Sequence, residues 1–232
     1  MPTPPDTVTL TCGAVLCDMD GTLVDSTAVV EAVWAEFARD YGIDLDVLLE
    51  HAHGRPTVQT VQHFAPAGAD VPGITARHEA QEQSRTEGVV EIPGAADFVA
   101  QVPADAIAIV TSATADLLRV RMQVAGVALP DTLVTADDLL VGKPDPGPYL
   151  RAAELLGVAP ADAVVFEDSE AGVRAGLAAG MRTVLVGPLA TPITEGLPRV
   201  RDFRDVEVDV VGDGVDDGAS DRLRLTLHVR EA

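Results

Sequence analysis

The sequence predicts an α/β fold: a doubly wound parallel sheet that carries an inserted helical block and ends in a β-hairpin. Three observations predict it. From Ile92 onward, short apolar runs alternate with helical patterns, the order that sets parallel strands beside crossover helices. Between Asp25 and Gly88 the pattern is helical throughout. Near the end, Val206, Val208 and Val210, then Leu223, Leu225, Leu227 and Val229, alternate with polar and charged residues, as strands with one wet face do.

Each element has its own signal. The apolar run Gly13-Ala-Val-Leu-Cys17 predicts a buried strand that ends in the polar turn Asp18-Met-Asp-Gly-Thr22. Ser26 is the expected N-cap of a helix bearing Val29, Val30, Val33, Trp34, Phe37 and Tyr41, closed by Gly42. Further helices are expected over 45–52, 57–64 and 75–85, with a short strand at 89–90. Strands follow at 107–110, 133–134, 163–166 and 183–186. Helices follow at 114–124, 146–156 and 169–179. Residues 26–90 are therefore expected to form a helical insert, and 1–25 with 91–232 the core. The acidic turn Gly212 to Ser220 misses calcium-loop spacing and reads as a solvated connection.

Composition narrows the function. Aromatic residues make up only 3%, so the core must be built from Ala, Val, Leu and Ile. A formal charge of −21 repels nucleic acid and anionic membrane, so neither is expected as a partner. It also repels anionic substrates, so a phosphate site would need a local positive centre. The chain has one lysine, Lys143, among arginines; its compact ammonium is a point charge that arginine does not reproduce. Cys12 and Cys17 lie at odd separation in one apolar segment and are expected on opposite faces, unbridged, as in a reducing cytoplasm. The first residues show no basic start or apolar run, and no stretch approaches the length of a membrane span.

Polar residues close the predicted strands: Asp18 and Asp20, Thr111 and Ser112, Glu167 and Asp168. Open α/β sheets bind ligands at that edge. Carboxylates gathered there repel one another, and a divalent cation relieves the repulsion. Magnesium suits them, because it takes oxygen ligands and leaves room for a substrate phosphate.

Asp18-Met-Asp-Gly-Thr-Leu-Val-Asp25 resembles the signature of the haloacid dehalogenase superfamily. Ile109-Val-Thr-Ser112, Gly142-Lys-Pro-Asp-Pro146 and Phe166-Glu-Asp-Ser-Glu-Ala-Gly172 resemble its other motifs, in order and spacing. The resemblance covers residues 13 to about 187. It implies a Rossmann-like core with a helical cap. By position, Asp18 would be the nucleophile and Asp20 the general acid and base. Thr111, Ser112, Ala113 and Lys143 would hold the phosphate. Asp18, Asp20 through its backbone carbonyl, Glu167 and Asp168 would bind Mg2+, with Lys143 also neutralising the transferring group.

Single residues separate the superfamily's chemistries. Its dehalogenases lack an acid at the position of Asp20, and its phosphonate hydrolases need a lysine in the insert, which is absent here. The β-phosphoglucomutase-type mutases carry a histidine twelve residues after the nucleophile, where this chain has Val30, and an insert lysine. Both departures favour hydrolysis. His51-Ala-His-Gly-Arg-Pro56 resembles the specificity loop of the sugar- and polyol-phosphate phosphatases, which implies roles for Arg55 and His53 toward substrate hydroxyls. Trp34, Phe37 and Phe64 are expected in the insert's core. The expected partner is a small phosphorylated molecule, and the expected state a cytoplasmic monomer or weak homodimer. A mutase and a phosphoglycolate phosphatase are the alternative activities.

Overall fold

The computed structural model describes residues 6–138, 141–211 and 222–229. In chain order its strands and helices are β1 (Asp6–Cys12), β2 (Ala14–Cys17), β3 (Val24–Asp25), α1 (Thr27–Tyr41), α2 (Leu45–Ala52), α3 (Thr57–Phe64), α4 (Val71–Ser84), β4 (Val90–Glu91), α5 (Ala95–Gln101) and β5 (Ile107–Val110). There follow α6 (Ala115–Ala125), β6 (Thr132–Val134), α7 (Gly147–Leu155), β7 (Ala163–Glu167), α8 (Glu170–Ala178), β8 (Arg182–Val186), β9 (Arg199–Val200), β10 (Val206–Val211) and β11 (Arg222–Val229).

Six strands form a parallel sheet in the order β6-β5-β2-β7-β8-β9. The central strands are buried on both faces, which is why they read as unbroken apolar runs. Val15, Cys17, Ile107, Ile109, Val164 and Phe166 turn to one face, against α5, α6 and the C-terminal sheet. Leu16, Ala108, Val110, Ala163 and Val165 turn to the other, against α7 and α8. Register does the rest: Cys17 lies opposite both Ile109 and Phe166. The residues that follow, Asp18, Val110 with Thr111, and Glu167 with Asp168, therefore emerge together at the carboxyl edge.

The four helices between β3 and β4 take no part in that sheet. They enclose an apolar cluster of their own around Trp34, Phe37, Leu48, Val61 and Ile74. The two connections to it run side by side, because β3 and β4 pair antiparallel.

Several details depart from the sequence expectations. Ser26 precedes α1 but does not cap it; its hydroxyl donates to Asp20 instead. Helix α4 starts earlier than expected, because Asp70 caps it through the amide of Gly73 and Pro72 suits its first turn. The expected C-terminal hairpin, β10 with β11, gains β1 on its other side. Cys12 therefore sits on β1 and Cys17 on β2, and both face the same apolar cluster rather than opposite sides; both are buried free thiols. The acidic turn Gly212 to Ser220 lies outside the described residues. Among the described residues no helix is long and apolar enough to cross a membrane.

Candidate active site

Asp18 follows β2, and its amide donates to the Phe166 carbonyl at 3.0 Å, which fixes it at the sheet's edge. Lys143 reaches it from the loop before α7 and is fully buried. Its Nζ donates to Asp18 Oδ1, to Glu167 Oε1 at 2.7 Å and to the Val110 carbonyl at 2.8 Å. These three partners saturate the ammonium, and only a lysine-sized group with three donors fits them. Burial works to lower its pKa, but the Asp18 and Glu167 carboxylates overcome this and hold it above the ordinary value.

Glu167 is the most tightly engaged carboxylate. Oε1 also accepts from Tyr149 Oη at 2.8 Å, and Oε2 accepts from the amides of Asp168 and Ser169 and from the Ser169 hydroxyl. Gly172, in the first turn of α8, lies so close to this carboxylate that any Cβ would overlap it. Asp168 accepts from Thr22 Oγ1 at 3.1 Å. Gly21 crosses directly over Asp168 with φ +83, a conformation and an approach that only glycine permits.

Asp18, Glu167 and Asp168 each bring an oxygen within 4.8 Å of the others. Burial first, then neighbouring negative charge, raises the Asp18 carboxyl to about 7 and Asp168 well above the usual carboxylate range. The cluster thus holds more negative charge than Lys143 offsets, and its hard oxygen donors fit a magnesium ion. Because Glu167 is so fully engaged, Asp18 and Asp168 are the carboxylates with oxygens left to offer.

The phosphate-binding expectations fall at the same edge. Thr111 is buried, and its Oγ1 accepts from the Ala113 amide at 3.0 Å. The Ser112 hydroxyl donates to the Gly54 carbonyl at 2.8 Å, tying this loop to the helical segment.

Above lies a cavity of about 1060 Å³, with Asp18, Asp20, Ser112 and Asp168 in its floor. Its roof includes Trp34, His51, His53, Arg55, His63 and Phe64. His53 Nε2 comes 3.8 Å from Asp168 Oδ2. His51 stacks on His63 at 4.2 Å, and burial with the neighbouring His63 and Arg55 lowers its pKa. Trp34 and Phe37 belong to the helical core, as expected. Phe64 only packs against that core and also faces the cavity. Arg55, Arg121, Arg174 and Arg201 line it too, among carboxylates that include Glu79, Glu82 and Glu170.

Sequence reasoning did not find the second polar cluster. Asp20 accepts from Ser26 Oγ at 2.7 Å through Oδ1 and pairs with Arg121 Nη1 at 2.7 Å through Oδ2. Arg121, on α6, is 4% exposed and also faces Glu82 of α4. Burial tends to lower the guanidinium's pKa, but Asp20 and Glu82 hold it above its ordinary value. Burial lifts the Glu82 carboxyl to about 7 despite Arg121. One turn earlier on α4, His78 packs 3.8 Å from the Trp34 ring, and burial with the charge of Arg121 pushes it down to about 4. Tyr149 and Thr22 were also missed as site residues.

Residues 15–186 match the family model described as haloacid dehalogenase-like hydrolase. Hexitol phosphatase A of Escherichia coli (strain K12) is 40% identical over 186 residues, covering 78% of this chain and 86% of that protein. Glycerol-1-phosphate phosphohydrolase 1 of Saccharomyces cerevisiae is 31% identical over 195 residues, covering 79% and 78%. The crystal structure of a hydrolase from Pseudomonas syringae superposes with a TM-score of 0.72 at 20% identity, covering 82% of this chain and 93% of that one; this likeness is one of fold.

Proposed function

Since this chain belongs to the haloacid dehalogenase-like hydrolase family, we propose that it is a magnesium-dependent phosphatase that hydrolyses small sugar or polyol phosphate monoesters through an aspartyl phosphate. One observation carries the reading: Asp18, bonded through Oδ1 to the chain's single lysine, faces a large cavity beside a second aspartate, Asp20. The names of the relatives support the substrate class.

In this reading Asp18 attacks the phosphorus of the bound monoester. The bond to the alcohol oxygen breaks, the electron pair leaves with that oxygen, and Asp20 supplies its proton. Water then gives a proton to Asp20 and attacks the phosphorus of the aspartyl phosphate. The bond to Asp18 breaks, and inorganic phosphate and the carboxylate are regenerated. Lys143 stays charged throughout and offsets the charge growing on the transferring group. Asp18 and Asp168, with the Asp20 carbonyl, would hold a magnesium ion, which when bound neutralises the carboxylates and the phosphoryl oxygens. Glu167 aligns Lys143 through its hydrogen bonds. Thr111, Ser112 and the Ala113 amide are assigned to the phosphate oxygens, which requires the hydroxyl of Ser112 to release Gly54 and the Ala113 amide to release Thr111 Oγ1.

Residues 26–90 act as a cap over a core formed by 1–25 and 91–232. His53 and Arg55 face the substrate from that cap, and the planar guanidinium of Arg55 orients hydroxyls. The buried free thiols accord with a reducing cytoplasm.

A phosphate-release screen over hexitol, glycerol and deoxyhexose phosphates tests the proposal. Turnover of at least one of these should vanish with excess chelator and return with added magnesium. Undiminished turnover in excess chelator, or activity confined to nucleotides, would overturn it.

A further inference from the structure

Arg121 and Glu82 leave hydrogen-bonding capacity unspent in a buried wall of the cavity. Arg121 Nη1 is committed to Asp20, but its Nε and Nη2 are buried without a hydrogen-bond partner. Nη2 lies 3.4 Å from Glu82 Oε1, an ion-pair contact longer than a good hydrogen bond. Glu82 is 5% exposed and faces the cavity with the same guanidinium. Leaving such groups unmet in a low-dielectric site is costly, and a natural fold rarely keeps them without a use.

A hydroxyl group is the ligand that meets both needs at once. It donates to the carboxylate of Glu82 and accepts from the guanidinium of Arg121. Position says which hydroxyl. Arg121 touches Asp20, the group assigned to the leaving oxygen, so a hydroxyl bridging Arg121 and Glu82 stands next to that oxygen.

We propose that Glu82 and Arg121 form the subsite that reads the hydroxyl on the carbon adjacent to the phosphoester carbon. The inference rests on the phosphatase reading above and makes these two residues specificity determinants. A site built to hydrogen-bond a hydroxyl rejects an analogue that lacks it, because its own polar groups are then left unpaired. The pair spans α4 and α6, so this recognition also requires the helical segment to be seated on the sheet.

The test compares kcat/KM of the full-length chain for a hexitol 1-phosphate and for its 2-deoxy counterpart. Wild type should prefer the hydroxylated substrate by on the order of 10- to 100-fold. Glu82→Met removes the acceptor at similar volume and should bring that ratio close to one. Arg121→Lys keeps a cation beside Asp20 but loses the planar fork, and should collapse the ratio too. The double variant should discriminate no less than the worse single, since both read one hydroxyl. Equal losses on both substrates, in whichever variant folds, would overturn the inference and leave the phosphatase reading standing. Failure of wild type to hydrolyse either substrate, with an aryl phosphate still turned over, would overturn both.

Discussion

Beneath the cavity, Glu167 accepts five hydrogen bonds and Lys143 donates three, so each group has one position it can occupy. In the cavity's other polar wall, Arg121 keeps Nε without a hydrogen-bond partner and holds Glu82 only through a 3.4 Å ion pair from Nη2, while His78, packed on the Trp34 ring, keeps both ring nitrogens without one. The saturated floor suits a reaction whose atoms never vary, whereas polar groups left unsatisfied suit a ligand that brings its own partners. On the proposed function, transfer belongs to the floor and selection to the walls and roof above it.

The floor should fail first and hardest. Asp18→Asn should reduce turnover of every substrate by on the order of 10⁴-fold or more, with no covalently labelled protein. A residual rate within tenfold of wild type would remove Asp18 from the reaction. Lys143→Arg keeps the charge but not the three-way fit, and steady-state assays should show a loss on the order of 10²- to 10³-fold. A near-normal rate would reduce Lys143 to a replaceable charge.

In the roof, losses should depend on the substrate. Arg55→Ala should lower kcat/KM on sugar or polyol phosphates by roughly tenfold and leave a small aryl phosphate nearly unchanged. Equal losses on both would move Arg55 to structure or to phosphate binding.

A further effect is thermodynamic. Glu82, with Arg121, Asp20 and Glu79 around it, binds a proton in the native chain up to about pH 7 that the unfolded chain has released near 4.5. The native state then holds more protons, so this group makes stability fall as pH rises across that window. His78, held down at about 4, acts oppositely below its ordinary value of 6.5, but it is common to wild type and variant. The stability difference between Glu82→Gln and wild type should therefore grow from pH 4.5 to 7, by on the order of 1–3 kcal/mol, and then level off. Melting curves that differ by a constant amount across this range would contradict the burial of an ionisable Glu82.

What could be read in the sequence follows the same division. Asp18, Glu167 and Asp168 announce themselves because each closes an apolar run, and strand register then brings them together without help from distant loops. Lys143 stood out by its rarity. Arg121 did not, because a charge on a helix is ordinarily a solvated one. The available signal was its place one turn beyond Leu117 and Leu118, inside the buried stripe of α6. Glu82 likewise continues the inward line of Ile74 and His78 on α4. Tyr149 gave no signal, because its ring is buried in the core and only its hydroxyl reaches Glu167. The strand β1 was missed although Val8, Leu10 and Cys12 alternate with threonines, and its partner lies at the far end of the chain, where local pattern says nothing.

The central claim is that phosphate passes through Asp18 and that Asp20 then hands water to it. Asp20→Asn with p-nitrophenyl phosphate isolates the two steps, since the good leaving group spares the first and the missing base stalls the second. Rapid mixing should give a burst of nitrophenolate equal to one per chain, followed by slow turnover, with the phosphate recovered on Asp18 by peptide mass spectrometry after acid quench. A linear time course without a burst, or phosphate mapped to any other residue, would contradict it.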